Sequence, residues 1–138
     1  MARVRITTED GLPWIWAKNS MSGSVRNRPD EGPEDTKYRI REAGSETAPY
    51  LIEIGYPPDA VIDPHAHTED EILYVVAGEM HLGNRIAGPG SSVFVAKDTL
   101  YGFRAGPTGV QFLNFRPRKA GTITREEFLA TRRQAKTN

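Results

Sequence analysis

Glycine and proline break this chain into short pieces along its whole length. The 138 residues contain 13 glycines and 10 prolines, and these residues are spread rather than clustered. The pieces between them are runs of β-branched and aromatic residues, which favour short strands and tight turns over long helices. The sequence therefore predicts an all-β protein, either an antiparallel sandwich or a barrel.

Six runs have the residue pattern of strands. They cover residues 38–41, 50–54, 72–77, 80–82, 92–96 and 109–115. The run from Ile72 to Ala77 is β-branched and aromatic, which predicts a buried strand that ends at Gly78. Gly83 and Asn84 follow the next run and have the composition of a two-residue hairpin turn.

The two ends of the chain differ from this central region. We expect one domain over residues 1–138, with an N-terminal arm at 1–36, a barrel core at about 37–116 and a C-terminal helix at about 124–136. Thr124 and Glu127 have the spacing of a capping box at the start of that helix. The polar segment 18–36 is predicted to be a solvated loop or a mobile lid over a site.

Composition excludes several functions. Lys plus Arg and Asp plus Glu both number 18, so the chain lacks the basic excess of nucleic-acid and membrane-surface binders. Cysteine is absent, which excludes disulfides and thiol nucleophiles. The longest apolar run is far shorter than the ~20 residues of a membrane span, and the first residues lack a signal-peptide core. We therefore expect a cytoplasmic protein without nucleic-acid or membrane partners.

The residues with the clearest chemical signature are two histidines and a glutamate. His65 and His67 are two positions apart, so an extended backbone points both imidazoles to the same face. A bend over residues 68–70 would return the carboxylate of Glu71 to the same point, although a slip of one position would substitute Asp70. Two imidazoles and one carboxylate form an open metal triad with free positions for water, oxygen or substrate.

These residues stand in a longer pattern, Asp59-x5-His65-x-His67-x3-Glu71-x6-Gly78. It resembles the first motif of the cupin superfamily, except that Asp59 stands where the family has glycine. A second frame, Gly90-x5-Ala96-x-Asp98-x2-Tyr101-x3-Ala105, resembles the second cupin motif but keeps only its first glycine. The resemblance covers roughly residues 50–115. It implies an antiparallel jelly-roll β-barrel, with a metal ion inside.

The second frame replaces the histidine that usually supplies a fourth metal ligand in cupins with Tyr101. Three roles remain open for Tyr101: a phenolate ligand, a phenol that passes a proton to substrate, or a core aromatic residue. The third histidine, His81, lies outside the ligand frame and is predicted to be a surface or cross-strand residue. Arg39 or Arg41 either faces inward to pair with a substrate carboxylate or is a solvated strand residue.

The sequence thus predicts a metal-dependent cupin that acts on a small molecule. The favoured chemistry is oxygen-using and dioxygenase-like, with His65, His67 and Glu71 holding one divalent ion of Fe, Mn, Ni or Zn. The alternatives are a metal-assisted lyase or isomerase with Tyr101 as proton carrier, and a non-catalytic metal- or metabolite-binding barrel. We also expect a homodimer, because residues 1–17 carry apolar side chains of the kind that small cupins exchange between subunits.

Overall fold

The computed structural model describes residues 3–20 and 32–137, and this part of the chain is mostly antiparallel β-sheet. The elements in chain order are β1 (Ile15–Trp16), α1 (Ala17–Ser20), β2 (Lys37–Ala43), β3 (Tyr50–Tyr56), β4 (Val61–His67), β5 (Glu71–Leu82), β6 (Arg85–Ala87), β7 (Ser92–Val95), β8 (Tyr101–Arg116), β9 (Thr122–Thr124) and α2 (Arg125–Thr137). The predicted all-β fold class with a C-terminal helix is confirmed.

The long strand β8 organises the sheet. Its 16 residues pair with β4 near its start, and with β3 and β5 on its two sides toward its end. The sheet path runs β1-β2-β3-β8-β4-β9, while β6 and β7 join through β5. Because one strand has three partners along its length, the sheet curls round β8 and encloses a concave face.

The core lies on this concave face. In β5, Leu73 and Val75 are fully buried, whereas Ile72 and Tyr74 alternate with them and are exposed. Three aromatic rings meet in the core, with Phe103 5.7 Å from Tyr56 and 6.0 Å from Phe112. The buried cluster consists of Tyr56, Ala60, Ile62, Leu73, Val75, Met80, Phe103, Ala105, Val110 and Phe112.

The predicted strand runs all lie in strands, and Gly83–Asn84 forms the turn between β5 and β6. The predicted end of a strand at Gly78 is wrong, because β5 continues to Leu82. Register shifts on both sides of Ala77 and the positive φ of Gly78 (70°) let the strand bend there. Its pairing with β8 then resumes at Met80.

Two aspartates take the backbone conformation that the cupin pattern assigns to glycine. Asp59 has φ 61° and Asp98 has φ 57°, and each stands at a motif position where the family has glycine. Aspartate is among the non-glycine residues that adopt the left-handed region most readily. Aspartate therefore accommodates the left-handed backbone at both positions.

The N-terminal arm packs against the outer, convex side of β2 and β3. Arg39 is buried there, with Nε 2.8 Å from Glu53 Oε1 and Nη1 3.1 Å from the carbonyl oxygen of Leu12. Its guanidinium also lies 4.1 Å from the centre of the Trp14 ring. Of the two alternatives, neither arginine faces inward, because Glu53 alternates with the core-facing residues of β3 and draws both to the outer side. Arg39 is also not solvated there, since it is buried.

The C-terminal helix begins with the predicted cap. The backbone N–H of Glu127 donates to Thr124 Oγ1 at 3.1 Å. No helix in the described ranges is long and apolar enough to cross a membrane. The segment 18–36 was predicted to be a polar loop or lid. Its first residues belong to α1, which extends to Ser20, and residues 21–31 lie outside the described residues.

Candidate functional site

Three strands bring the four predicted site residues together inside the barrel. β4 carries His65 and His67, β5 begins with Glu71, and β8 begins with Tyr101, which pairs in register with His65. The two histidines and Glu71 are 1%, 3% and 1% exposed. The rings of His65 and His67 lie 4.9 Å apart, and those of His65 and Tyr101 lie 5.0 Å apart.

Backbone carbonyls orient both imidazoles. His65 Nδ1 is 2.8 Å from the carbonyl oxygen of Asp63, and His67 Nδ1 is 3.3 Å from that of Gly121. A carbonyl oxygen only accepts, so each Nδ1 carries a proton, and the Nε2 of His67 keeps its lone pair because it accepts from Arg116. This is the arrangement that orients histidines that bind metals through Nε2.

The Glu71 carboxylate is fully engaged by its neighbours. Oε1 accepts from the Tyr101 hydroxyl, while Oε2 accepts from Asn114 Nδ2 at 3.0 Å and from Arg116 Nε at 3.1 Å. Arg116 also donates from Nη2 to His67 Nε2 at 3.3 Å. A buried carboxylate is costly unless it is paired and hydrogen-bonded, and Arg116 meets that need here.

Asn114 and Arg116 were missed by the sequence interpretation. Both lie on β8, two and four positions after the core residue Phe112. Alternation along a strand places all three on the inner face. The alternation of these three residues is visible in the sequence. It predicts their position on the inner face only once Phe112 is known to point inward.

The site residues line a small cavity that also contains one unpartnered acceptor. The cavity measures about 20 Å³, enough for one water or one ion, and its polar wall consists of His65, His67, Tyr101, Asn114 and Arg116. Asn114 Oδ1 is buried without a hydrogen-bond partner. Its amide cannot be flipped, because Nδ2 must face the carboxylate of Glu71. The site therefore contains a buried acceptor whose hydrogen-bonding capacity is unused.

Tyr101 stays protonated in this arrangement. Burial raises the pKa of its hydroxyl above the ordinary value, and the negative charge of Glu71 raises it further. The hydroxyl is thus a donor to Glu71, while the ring stacks 6.4 Å from Phe103. Its role as a ligand, as a proton carrier or as a core aromatic residue stays a prediction.

As they stand, no three His, Asp or Glu side chains in residues 3–20 and 32–137 form a group that could hold a metal ion. His67 Nε2 lies 4.0 Å from Glu71 Oε1, and Arg116 contacts both residues. The donor chemistry nevertheless fits a transition metal, since two imidazoles line the cavity and the Glu71 carboxylate lies 4.0 Å from one of them. Metal binding would require Glu71 and His67 to exchange Arg116 for the ion.

Two further sequence candidates lie outside this site. His81 lies in the second half of β5, where its Nε2 is 3.2 Å from Glu79 Oε1. Asp70 accepts from the backbone N–H of Lys97 at 2.8 Å and serves the turn before β5. A larger open groove of about 740 Å³, bordered by Trp16 and Lys37, contains none of the histidines and lies away from the cluster.

Comparison with known proteins supports the fold. No family model and no curated protein matches the sequence. An RmlC-like cupin from Ralstonia eutropha superposes with a TM-score of 0.69 at 14% identity, over 90% of this chain and 74% of its own. The polyketide cyclase RemF from Streptomyces resistomycificus superposes with a TM-score of 0.64 at 18% identity, over 94% and 93%.

A third structure, an RmlC-like cupin from Shewanella frigidimarina, has a TM-score of 0.52 at 25% identity, over 67% of this chain and 80% of its own. The chain therefore has the fold of these cupin structures.

Proposed function

We propose that this protein is a metal-dependent cupin enzyme that catalyses proton transfer on a small molecule, as a lyase or isomerase does. His65 and His67 would hold one divalent ion of Fe, Mn, Ni or Zn, with Glu71 as third ligand, and Tyr101 would carry the proton. One observation carries this proposal: the Tyr101 hydroxyl donates to Glu71 in the cavity that both imidazoles line.

The bound ion would supply Lewis-acid polarisation of a substrate carbonyl. The chain's own residues would supply orientation and the proton. The hydroxyl of Tyr101 lies at the cavity wall and is protonated, so it can donate to a substrate carbon or oxygen that gains electron density. Glu71, hydrogen-bonded to that hydroxyl, would hold the phenol in place. The phenolate left after the donation would take up the proton that the substrate carbon releases, so Tyr101 would end the reaction protonated, as it began.

Asn114 and Arg116 would shape what the cavity accepts. The unpartnered Oδ1 of Asn114 accepts a hydrogen bond, which suits a substrate hydroxyl or a bound water. Arg116 holds the charge of Glu71 when no ion is present, and its guanidinium becomes available to an anionic substrate group once an ion replaces it. The proposal therefore favours a small oxygen-rich substrate, such as a hydroxy or keto acid.

An oxygen-using, dioxygenase-like reaction is the second candidate. It is favoured by the donor types alone, because two histidines and one carboxylate are the ligand set of ferrous oxygenases. The hydrogen bond from Tyr101 gives no particular advantage to that chemistry. The likeness to the polyketide cyclase concerns the fold, so it does not decide between the two reactions.

The test is carbon–hydrogen exchange in heavy water. The protein is loaded separately with Fe, Mn, Ni and Zn and incubated with a panel of small hydroxy and keto acids, and NMR follows deuterium uptake at carbon. We expect exchange with at least one metal, lost in Tyr101→Phe but kept in the control Tyr74→Phe, whose ring is 45% exposed on the outer face. Metal content should be equal in both variants.

Three results would contradict the proposal. Exchange in Tyr101→Phe at the wild-type rate would remove the proton role of Tyr101. Oxygen uptake by the ferrous protein with substrate, without exchange, would favour the dioxygenase-like reaction. Neither exchange nor oxygen uptake across the panel, with metabolite binding seen by calorimetry, would favour the non-catalytic binding barrel.

A further inference from the structure

Arg116 uses the same acceptor groups that a metal ion would need. Its Nε atom donates to Glu71 Oε2 at 3.1 Å, and its Nη2 atom donates to His67 Nε2 at 3.3 Å. A metal ion would bind the lone pairs of these same two side chains. The guanidinium and the ion therefore compete for one imidazole and one carboxylate.

The spacing of the two acceptor groups agrees with their occupation by the guanidinium. His67 Nε2 and Glu71 Oε1 are 4.0 Å apart. Two ligand atoms that each lie about 2.0–2.2 Å from the same ion are about 3 Å from each other. Arg116 bridges the wider separation, so the imidazole and the carboxylate can close around an ion only after the guanidinium has left.

A purely structural role would not require both contacts of Arg116. Neutralising the buried carboxylate needs only the hydrogen bond to Glu71, which is 1% exposed. The second hydrogen bond engages the lone pair of His67 Nε2. While this bond lasts, His67 cannot bind an ion through that atom.

The guanidinium has another contact at the ends of the strands. Arg116 is the last residue of β8, and it pairs in register with Tyr50, the first residue of β3. The guanidinium lies 5.2 Å from the centre of the Tyr50 ring, and the Arg116 side chain is 11% exposed. A cation can stay on an aromatic face while its N–H groups turn toward water. Arg116 can therefore leave the two acceptor groups without leaving the barrel wall.

We infer that Arg116 is an internal competitor of the metal ion, which holds Glu71 and His67 when no ion is bound and is displaced when one binds. This inference rests on the metal site of the proposed function but not on its proton transfer. Arg116 should stabilise the metal-free protein, because it neutralises Glu71. It should also weaken metal binding, because its hydrogen bonds must break first and its charge repels a divalent cation.

The experiment compares two arginine-to-methionine variants with the wild type. Arg116→Met removes the competitor. Arg118→Met is the control, because it removes the same charge from a side chain that pairs with Glu69 at 3.0 Å but is 51% exposed. Calorimetric titration of chelator-stripped protein with zinc gives the dissociation constant, and thermal unfolding gives the melting temperature.

The two measurements should move in opposite directions in Arg116→Met. We expect this variant to bind zinc at least about 10-fold more tightly than the wild type. Without zinc, it should melt roughly 10 °C lower, because Glu71 would stay buried without a counter-charge. Arg118→Met should match the wild type in both. If Arg116→Met does not fold, Arg116→Gln replaces it, since an amide keeps a donor for Glu71 without the charge.

A second readout follows the guanidinium itself by NMR of isotope-labelled protein. The Nε–H signal of Arg116 is assigned by its absence from the spectrum of the variant. Zinc should shift this signal in the wild type and leave the signal of Arg118 in place, because only Arg116 changes partners.

Two results would overturn the inference and leave the proposed function standing. One is zinc binding by Arg116→Met that is no tighter than in the wild type, and the other is zinc binding that leaves the Arg116 signal unchanged. If none of the four proposed ions binds to any of these proteins, the inference and the metal site of the proposed function both fail. Carbon–hydrogen exchange tests the proton transfer separately.

Discussion

At the scale of single residues, the buried charge of Glu71 decides how the site behaves. One guanidinium, one amide and one phenol satisfy its two oxygens, so the cluster is stable without an ion. The two imidazoles differ from the Glu71 carboxylate in how they are held. Backbone carbonyls bind their Nδ1 atoms and so fix Nε2 toward the cavity. Metal affinity should therefore depend more on the histidines than on the carboxylate.

Replacing either histidine by alanine tests this dependence. We expect His65→Ala and His67→Ala to lose bound metal and the rise in melting temperature that metal produces, because each removes one of the two oriented Nε2 donors. Elemental analysis of protein purified without chelator or metal-affinity resin measures the metal content. The control is His81→Ala, since His81 contacts Glu79 on another part of β5. Equal metal content in all four proteins would refute the triad.

The sequence predicted some of these residues better than others. His65, His67 and Glu71 could be predicted as site residues because their spacing alone indicates a set of metal ligands. Tyr101 was placed by its motif frame, but its partner Glu71 and its protonated state depend on burial that only the fold shows. Asn114 and Arg116 escaped notice because the inward face of β8 depends on tertiary packing.

At the scale of elements, the bend of β5 at Gly78 brings its backbone against Gly109 within β8. A Cβ added at Gly78 would lie 2.1 Å from the carbonyl oxygen of Gly109, and φ is 70°. The sequence correctly located a special conformation at this glycine. It wrongly inferred the end of a strand, because a bulge and a terminus have the same local signature.

Two matched glycine substitutions separate backbone strain from crowding. Gly83 has a similar φ of 62°, but a Cβ there would meet nothing within 4 Å. Gly83→Ala should therefore cost about 1–2 kcal/mol for the left-handed backbone alone. Gly78→Ala should cost a further ~1–3 kcal/mol for the clash. Urea unfolding followed by tryptophan fluorescence measures both, and equal losses would show that β5 and β8 can separate freely at Gly109.

At the scale of the whole molecule, one buried ion pair joins the N-terminal arm to the barrel. Glu53 accepts from Arg39 at 2.8 Å, from Gln111 at 2.8 Å and from Arg41 at 3.1 Å. Arg39 in turn contacts Leu12 and Trp14 of the arm. The carboxylate thus connects β2, β3, β8 and the arm.

This connection makes stability depend on pH. Burial alone would raise the pKa of Glu53, but the hydrogen bonds from Arg39, Gln111 and Arg41 outweigh it, so the pKa lies below the ordinary 4.5. The same bond raises the pKa of Arg39. Because the folded state holds the Glu53 carboxylate more acidic than the unfolded chain does, its stabilisation is complete above pH 4.5 and decreases as the pH falls through the folded pKa.

Glu53→Gln therefore has two expected effects. At pH 7 it should lower the free energy of unfolding by about 3 kcal/mol, because the guanidinium of Arg39 would stay buried without its counter-charge. Below pH 4.5 the variant should lose less stability per pH unit than the wild type, since it lacks the group that titrates. Urea unfolding between pH 3 and 7 measures both, with Glu46→Gln, at an exposed position, as control. Parallel pH profiles for wild type and Glu53→Gln would mean that the arm is held by packing rather than by this charge.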